Sequence, residues 1–283
     1  IYLLIVINLK VMKNFIKTLI PNFLKNKFIF HKQLTRSAKE EYLKDKNGLI
    51  SDDPGIDMTI KNAIKWLTLA QDMSISKDGG VAAYYSLLNG WSTSYPETTG
   101  YIIPTIINYA KLEKNEKLLS RAKIMLDWLI SIQFKDGSFQ GGFIGDPKLI
   151  PNTFNSGQIL IGLAAGVETF GQKYNGAMIK TGDWLVQTQD EDGCWRKFPS
   201  HKVIPGEKTY EAHVILGLLE TAKVTGNLKY ADAAIKNALW TLNYQNENGW
   251  FDKCTFDSNP EPLTHLIGYV FRGILEAYLY SKK

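Results

Sequence analysis

The sequence predicts an all-α domain of four helical hairpins set as an α/α toroid or partial toroid, with one further helix ahead of them near residues 33–45. Three observations carry this. A six-residue string recurs four times: Trp66-Leu-Thr-Leu-Ala-Gln71, Trp128-Leu-Ile-Ser-Ile-Gln133, Trp184-Leu-Val-Gln-Thr-Gln189 and Trp240-Thr-Leu-Asn-Tyr-Gln245. The last three copies each reach a glycine four residues after the Gln and an aromatic within two more: Gly137 with Phe139, Gly193 with Trp195, Gly249 with Trp250 and Phe251. The first copy drifts, arriving at Gly79 and Gly80. Copies spaced 62, 56 and 56 residues apart describe one supersecondary unit stacked on itself, because a unit of that size cannot bury its apolar face alone.

The elements follow in order. Each Trp-to-Gln string closes an amphipathic helical pattern, as in Ile60, Ala63, Ile64 and Leu67, or Leu118, Ala122, Met125, Leu126 and Leu129, with apolar residues at spacings of three and four. These are the first, outer helices of the hairpins. The second helices are predicted to begin near Thr98, Asn155, Tyr210 and His265, and they are apolar on most sides, as a helix surrounded by protein must be. Returns from inner to outer helix are short, through Glu113–Glu116, Gly171–Lys173 and Thr225–Asn227. The outer-to-inner connections run to some fifteen or more residues and all fall on one face. Long ordered loops in a compact domain mark function, so that face is where a site is expected.

Composition narrows the class. The chain has 283 residues, 45% of them hydrophobic, which suffices for one large core. Its net charge of +5 comes from residues 1–36, which hold seven Lys or Arg and no acid; the remaining 26 bases and 28 acids leave the body slightly acidic. Nucleic-acid binding needs cationic side chains on the folded body, so no nucleic-acid partner is expected. The chain is therefore divided into a basic segment, 1–36, which could touch an anionic membrane surface, and a repeat domain, 37–283. The apolar run Ile1–Ile7 is far short of the ~20 residues that span a bilayer. Residues 1–11 precede an ordinary start at Met12 and are left out of the fold reading. Cys194 and Cys254 lie in different repeats and form no disulfide framework, which points to a reducing, cytoplasmic setting with membrane association left open.

The repeat residues themselves read as scaffold. A Gln at a helix end bonds backbone groups of the turn, the glycine supplies the helix stop, and the aromatic packs beneath. The inner helices are different. Registering them by small residues (Thr105, Gly162, Gly217, Gly273) brings Tyr101, Gln158, His213 and Tyr269 to one position. One turn earlier stand Glu97, Tyr210 and His265 with Asn155 nearby; one turn later, in the last repeat, stands Arg272. Polar groups on the most buried helices must find partners, and a ligand site is the reading taken for the cluster.

The Trp-x4-Gln-x3-Gly-x-aromatic string resembles the QW-type repeats of terpene cyclases and of the related toroids of protein prenyltransferase β subunits. Longer strings, Asp78-Gly-Gly, Ser94-Tyr-Pro-Glu-Thr-Thr-Gly-Tyr101, Phe154-Asn-Ser-Gly-Gln158, Asp192-Gly-Cys-Trp-Arg-Lys197 and Asn248-Gly-Trp-Phe with Leu263-Thr-His265, resemble a family of bacterial toroid proteins associated with surface-polysaccharide biosynthesis loci. This second resemblance covers residues 58–280 and supplies no catalytic residue. The Asp-x-Asp-Asp acid of proton-initiated cyclases is missing: Ser51-Asp52-Asp53-Pro54 lies outside the repeats and lacks its first acid, so squalene-type cyclisation is not expected. Zinc in prenyltransferase β subunits is held by Asp-x-Cys and a distant His. Asp252, Cys254 and His265 have the right ligand types but the wrong separation, so no cofactor is expected and zinc is kept as the lesser alternative.

The leading expectation is a carbohydrate-active enzyme of surface (exo- or capsular) polysaccharide assembly, working by epimerase, lyase or hydrolase acid–base chemistry. Its candidate catalytic residues are His213, His265, Glu97, Tyr101 and Tyr269; Gln158, Asn155, Tyr210, Arg272, Trp91, Tyr95, Trp195 and Trp250 are expected to bind substrate, with Arg272 placed to hold a carboxylate. Two alternatives stay open: an enzyme handling a polyprenyl or polyprenyl-linked substrate, and a non-catalytic glycan-binding or scaffold subunit.

Overall fold

The computed structural model describes residues 32–48, 52–199, 203–256 and 263–282, and the basic segment for which membrane contact is expected falls almost wholly outside them. The chain divides into two units, Ile1–Ile56 with Tyr85–Gly90 and Asp57–Tyr84 with Trp91–Lys283. In the first, helix α1 (Arg36–Lys46) starts at Thr35, whose hydroxyl accepts from the Ala38 amide, and it is largely exposed. Its ion pairs, Arg36 with Glu40 and Lys44 with Glu41, lie on the surface and contribute little to stability.

The second unit holds the repeats. Outer helices α2 (Ile56–Met73), α4 (Glu116–Ile132), α6 (Asn175–Thr188) and α8 (Leu228–Leu242) alternate with inner helices α3 (Pro96–Leu112), α5 (Thr153–Phe170), α7 (Val214–Thr225) and α9 (Thr264–Ser281). A 3-10 segment, Thr209–His213, leads into α7; in chain order the short strands β1 (Tyr85–Ser86), which belongs to the first unit, and β2 (Gly90–Trp91) come between α2 and α3. The expected α/α toroid architecture is what the chain adopts. Inner helices pack side by side in the order α3, α5, α7, α9, each also against its outer neighbour. Of the 18 residues of α5, 14 are buried, so it is surrounded by protein as its uniform apolarity demands. No helix among the described residues is long and apolar enough to cross a membrane.

Glycine sets the spacing of the inner layer. A side chain on Gly162 would strike the Gly100 carbonyl of α3, one on Gly217 the Gly157 carbonyl of α5, and one on Gly273 the Ala212 carbonyl ahead of α7. Thr105, at the same register in α3, has no earlier inner helix among the described residues and needs no glycine.

The repeated Gln is a clamp. Gln133 donates from Nε2 to the Gly137 carbonyl at 3.1 Å and to the Ala177 carbonyl of the next outer helix at 2.9 Å. Gln189 does the same to Gly193 at 3.1 Å and Ala233 at 2.9 Å, and Gln71 to Gly79 at 3.0 Å and Arg121 at 3.3 Å. Each clamp satisfies a carbonyl of its own turn and one of the following helix, so a single side chain fixes the step from copy to copy. Gly137 and Gly193 take positive φ, 96° and 99°, and press on the Lys180 and Lys236 carbonyls. Both the conformation and the contact require glycine there. Trp128, Trp184 and Trp240 are all buried beneath these turns.

Candidate functional site

The long loops and the N-terminal ends of the inner helices enclose a cavity of about 460 Å³. Tyr95 and Glu97 come from the start of α3, Phe154 and Asn155 from α5, Tyr210 from the 3-10 segment, and His265, Leu266 and Tyr269 from α9. Gly142, Phe143, Val203 and Phe256 close it from the loops. Phe154 is the hub of the aromatic wall, edge-on to Tyr210 at 5.8 Å and tilted against Tyr269 at 5.1 Å. Phe143 stands 5.1 Å from Tyr95, and Phe256 lies 5.4 Å from Tyr210 and 5.9 Å from His265.

Glu97 is the cavity's acid. Water reaches it through the mouth, yet the surrounding walls crowd the carboxyl and burial pushes its pKa from 4.5 to about 7, against the hydrogen bond from Tyr95 that favours the charged form. Tyr95 also bonds Asn155, and burial together with the Glu97 charge holds its phenol protonated well above the ordinary range. Asn155 is itself fixed, its amide donating to the Gln140 carbonyl at 3.0 Å. A carboxyl that titrates near neutrality can give or take a proton at working pH.

A second cavity, of about 400 Å³, lies one to two helical turns further along the inner helices. Tyr101, Pro104, Thr105 and Asn108 of α3 line it, with Ile161 of α5, His213 and Leu216 on the α7 side, and Tyr269 and Arg272 of α9. Among the described residues, Arg272 is its one charged lining group and no carboxylate lines it, which suits an anion. His213 Nδ1 is 2.7 Å from Gln158 Oε1, and its ring is 4.7 Å from that of Tyr269. Burial, with the Arg272 charge second, lowers its pKa from 6.5 to about 4. His213 is therefore neutral at physiological pH. Burial also raises the Tyr101 and Tyr269 phenols, with the Glu97 charge adding to both.

The inner-register residues thus do not share one cavity. Glu97, His265, Asn155, Tyr210 and Tyr95 face the first, while Tyr101, His213 and Arg272 face the second. Tyr269 lines both. Gln158 opens to neither: it is buried, holds His213, and its Nε2 has no partner among the described residues. Three aromatics expected to bind substrate lie elsewhere. Trp195 is buried with its indole N–H donating to the Leu185 carbonyl at 2.9 Å, Trp91 tilts against Trp66 at 4.8 Å, and Trp250 packs on the small core around Phe251 and Cys254. Packing has claimed each of these rings.

The zinc alternative finds no convergent ligands, since no group of three His, Cys, Asp or Glu able to hold a metal occurs among the described residues. Asp252 accepts from the Asn246 amide at 3.0 Å, and the buried Cys254 thiol is pushed up to about 11. Among the described residues, no second carboxylate lines the first cavity. Glu211 is fully buried near Cys194, and burial pushes its carboxyl well above the usual carboxylate range. Of the lining residues, Phe143, Val203, Phe256, Thr105 and Asn108 carry no sequence signal as ligand contacts. Thr105 and Asn108 follow Tyr101 at helical spacing on one face of α3, which is the pattern that could have found them.

No protein-family model and no curated protein matches this sequence. Solved structures do match in fold. An ent-copalyl diphosphate synthase from Streptomyces platensis aligns over 73% of this chain and 36% of its own at 15% identity, TM-score 0.51. A GH76 α-mannanase of Bacteroides thetaiotaomicron aligns over 71% of this chain and 56% of its own at 20% identity, TM-score 0.52. The chain therefore spans about a third of one neighbour and just over half of the other. What the likeness establishes is the α/α toroid fold.

Proposed function

We propose that the repeat body is a carbohydrate-active enzyme that performs acid–base chemistry on an acidic sugar or glycan, in the setting of surface-polysaccharide assembly that the sequence resemblance implies. The observation that carries this reading is Glu97, a carboxyl tuned to about 7 beneath a wall of aromatic rings. Aromatic faces suit the apolar faces of sugar rings, and a mannanase is among the fold neighbours. Among the described residues that line the cavity Glu97 is the one carboxylate, and a single carboxyl beside His265 and Tyr269 suits proton abstraction and return, as in epimerisation or elimination. In this reading the Glu97 carboxylate removes a proton from the carbon next to a carboxylate, and His265 or Tyr269 supplies or receives one across the ring. Arg272 attracts the acid group from the second cavity, where neutral His213, its Nδ1 proton given to Gln158 Oε1, leaves Nε2 to accept from a sugar hydroxyl.

The test is solvent-deuterium exchange. Uronic-acid oligosaccharides incubated with the protein in D2O should take up deuterium at the carbon next to the carboxylate, followed by proton NMR, and E97Q should lose the exchange. Absence of exchange and of binding would overturn the proposal. A second reading, a polyprenyl-linked substrate, is favoured by the largely apolar ring of Phe143, Phe154, Val203, Phe256 and Leu266. Saturable binding of a short polyprenyl phosphate without any uronate binding would select it.

A further inference from the structure

The two cavities follow one another along the inner helices. On α3, Glu97 lines the first, and Tyr101, Thr105 and Asn108 line the second at steps of four, four and three residues, which keeps all four side chains on one helix face. Eleven residues separate Glu97 from Asn108, a rise of about 16 Å along α3. On α9, His265 lines the first cavity and Arg272 the second, while Tyr269, between them in the chain, lines both. The Tyr269 ring is thus a shared wall between adjoining spaces.

The second cavity is far larger than an acid group. Its volume of about 400 Å³ lies in the range of sites that hold a whole small ligand, and a carboxylate on Arg272 alone would leave most of it to water. Its walls also carry more than a charge. Tyr101, Thr105 and Asn108 bring two hydroxyls and an amide, and among the described residues no hydrogen bond or ion pair engages these side chains or Arg272. His213 adds Nε2 as an acceptor, its Nδ1 being taken up by Gln158. Groups that both give and accept hydrogen bonds match the hydroxyls of a sugar ring, whereas a prenyl tail would cover them without replacing their bonds to water. We propose that the second cavity is a subsite for the sugar next to the one on which Glu97 acts, so that the substrate is an oligo- or polysaccharide containing acidic sugars, laid along the inner helices, and not a single sugar. The assignment of the first cavity to the reacting sugar rests on Glu97 as the acting carboxyl; the occupant of the second is read from its own walls. Arg272 then draws an acid group of the chain, and Tyr269 stands between consecutive rings.

The experiment titrates galacturonate and its di-, tri- and tetramers into the protein by calorimetry at fixed ionic strength, with deuterium exchange in D2O followed on the same ligands. The native chain should bind the trimer at least about tenfold more tightly than the monomer. Asn108→Phe and Thr105→Phe each fill the second cavity from an exposed position on α3, and each should bring the trimer to within about twofold of the monomer. Circular dichroism melts establish that the variants fold, and one folded variant suffices. Exchange on the monomer with no gain in affinity on lengthening would keep the role of Glu97 and overturn the subsite. A length dependence that survives in a folded filling variant would overturn it equally. Length-dependent binding that the filling variants abolish, but without exchange on any ligand, would keep the subsite and remove Glu97 as the base. Failure of every uronate to bind would overturn both.

Discussion

The outer turns and the inner-helix axis obey the same repeat and use it in opposite ways. At the turns, one job is done three times by the same residues: Gln71, Gln133 and Gln189 each tie a glycine carbonyl to the next outer helix. On the axis, one register position holds Tyr101, Gln158, His213 and Tyr269, three chemistries over four copies that the scaffold does not require. Recurrence marks what every copy must do to stack. Divergence at a recurring position marks where the protein meets something asymmetric, and substitutions on the two sides of this divide should fail differently.

The largest expected effect is on turnover. Removing a positioned acid or base typically costs about 10²–10⁴ in rate, so E97Q should fall by that order in the deuterium-exchange assay while keeping its fold. His213→Gln should lose far less, because an imidazole titrating at about 4 is neutral at pH 7 and serves as a hydrogen-bonding wall. Equal losses for the two variants would erase the distinction between the cavities.

On the scaffold side, Trp184→Ala should cost about 3–5 kcal/mol of stability, in line with emptying a buried indole site, whereas Trp66→Ala should cost less than half as much, since that ring is half exposed. Chemical denaturation reads both. Ligand binding by whatever fraction of Trp184→Ala remains folded should match the native chain; a selective binding defect would move this tryptophan to the functional side.

Stability against pH separates Glu97 from His213 a second time. The Glu97 carboxyl keeps its proton up to about 7 when folded and only to 4.5 when unfolded, so its contribution falls as pH rises through that window, by about 3 kcal/mol in all. The His213 ring takes a proton at 6.5 when unfolded and only near 4 when folded, so its contribution falls by a similar amount as pH drops from 6.5 to 4. In the native chain the two slopes oppose each other between pH 4.5 and 6.5 and nearly cancel. E97Q should unmask acid lability and His213→Gln should unmask a loss toward neutral pH, both measured as melting temperature across pH 4–8. Parallel profiles for the two variants would show that one of these groups is not buried as described.

Much of the scaffold was legible in the sequence because stacking repeats its devices. The Trp-to-Gln strings, the short returns and the small residues Gly162, Gly217 and Gly273 each occur often enough to be set in register, and that register is where the inner helices approach most closely. The site was legible only as a set of inner-helix residues. Its division into two cavities turns on where the Tyr269 ring stands between Glu97 and Arg272, and no spacing reports the direction of one ring. Phe143 and Phe256 are lone aromatics in long loops, without periodicity to single them out. Trp195 misled for the converse reason: an aromatic after a turn glycine has the same sequence signature whether it stacks on a sugar or packs under the turn.

The smallest effect offers the finest comparison, because it sets one residue type against itself. Gln133 and Gln245 occupy the same place in their copies, but among the described residues only the first clamps a following outer helix. Gln133→Ala removes donors to Gly137, Ala177 and the Thr181 hydroxyl, the last at 2.9 Å, and leaves partly buried carbonyls short of a partner. That should cost about 1–3 kcal/mol. Gln245→Ala removes an exposed side chain and should change the stability of dilute protein by less than about 0.5 kcal/mol, as surface substitutions away from special features do. Denaturant midpoints at low protein concentration measure the pair, with the slope checked for constancy. If Gln245→Ala proves as costly as Gln133→Ala under those conditions, the last turn is clamped as the earlier ones are, and the exposure of Gln245 would not mark a difference between the copies.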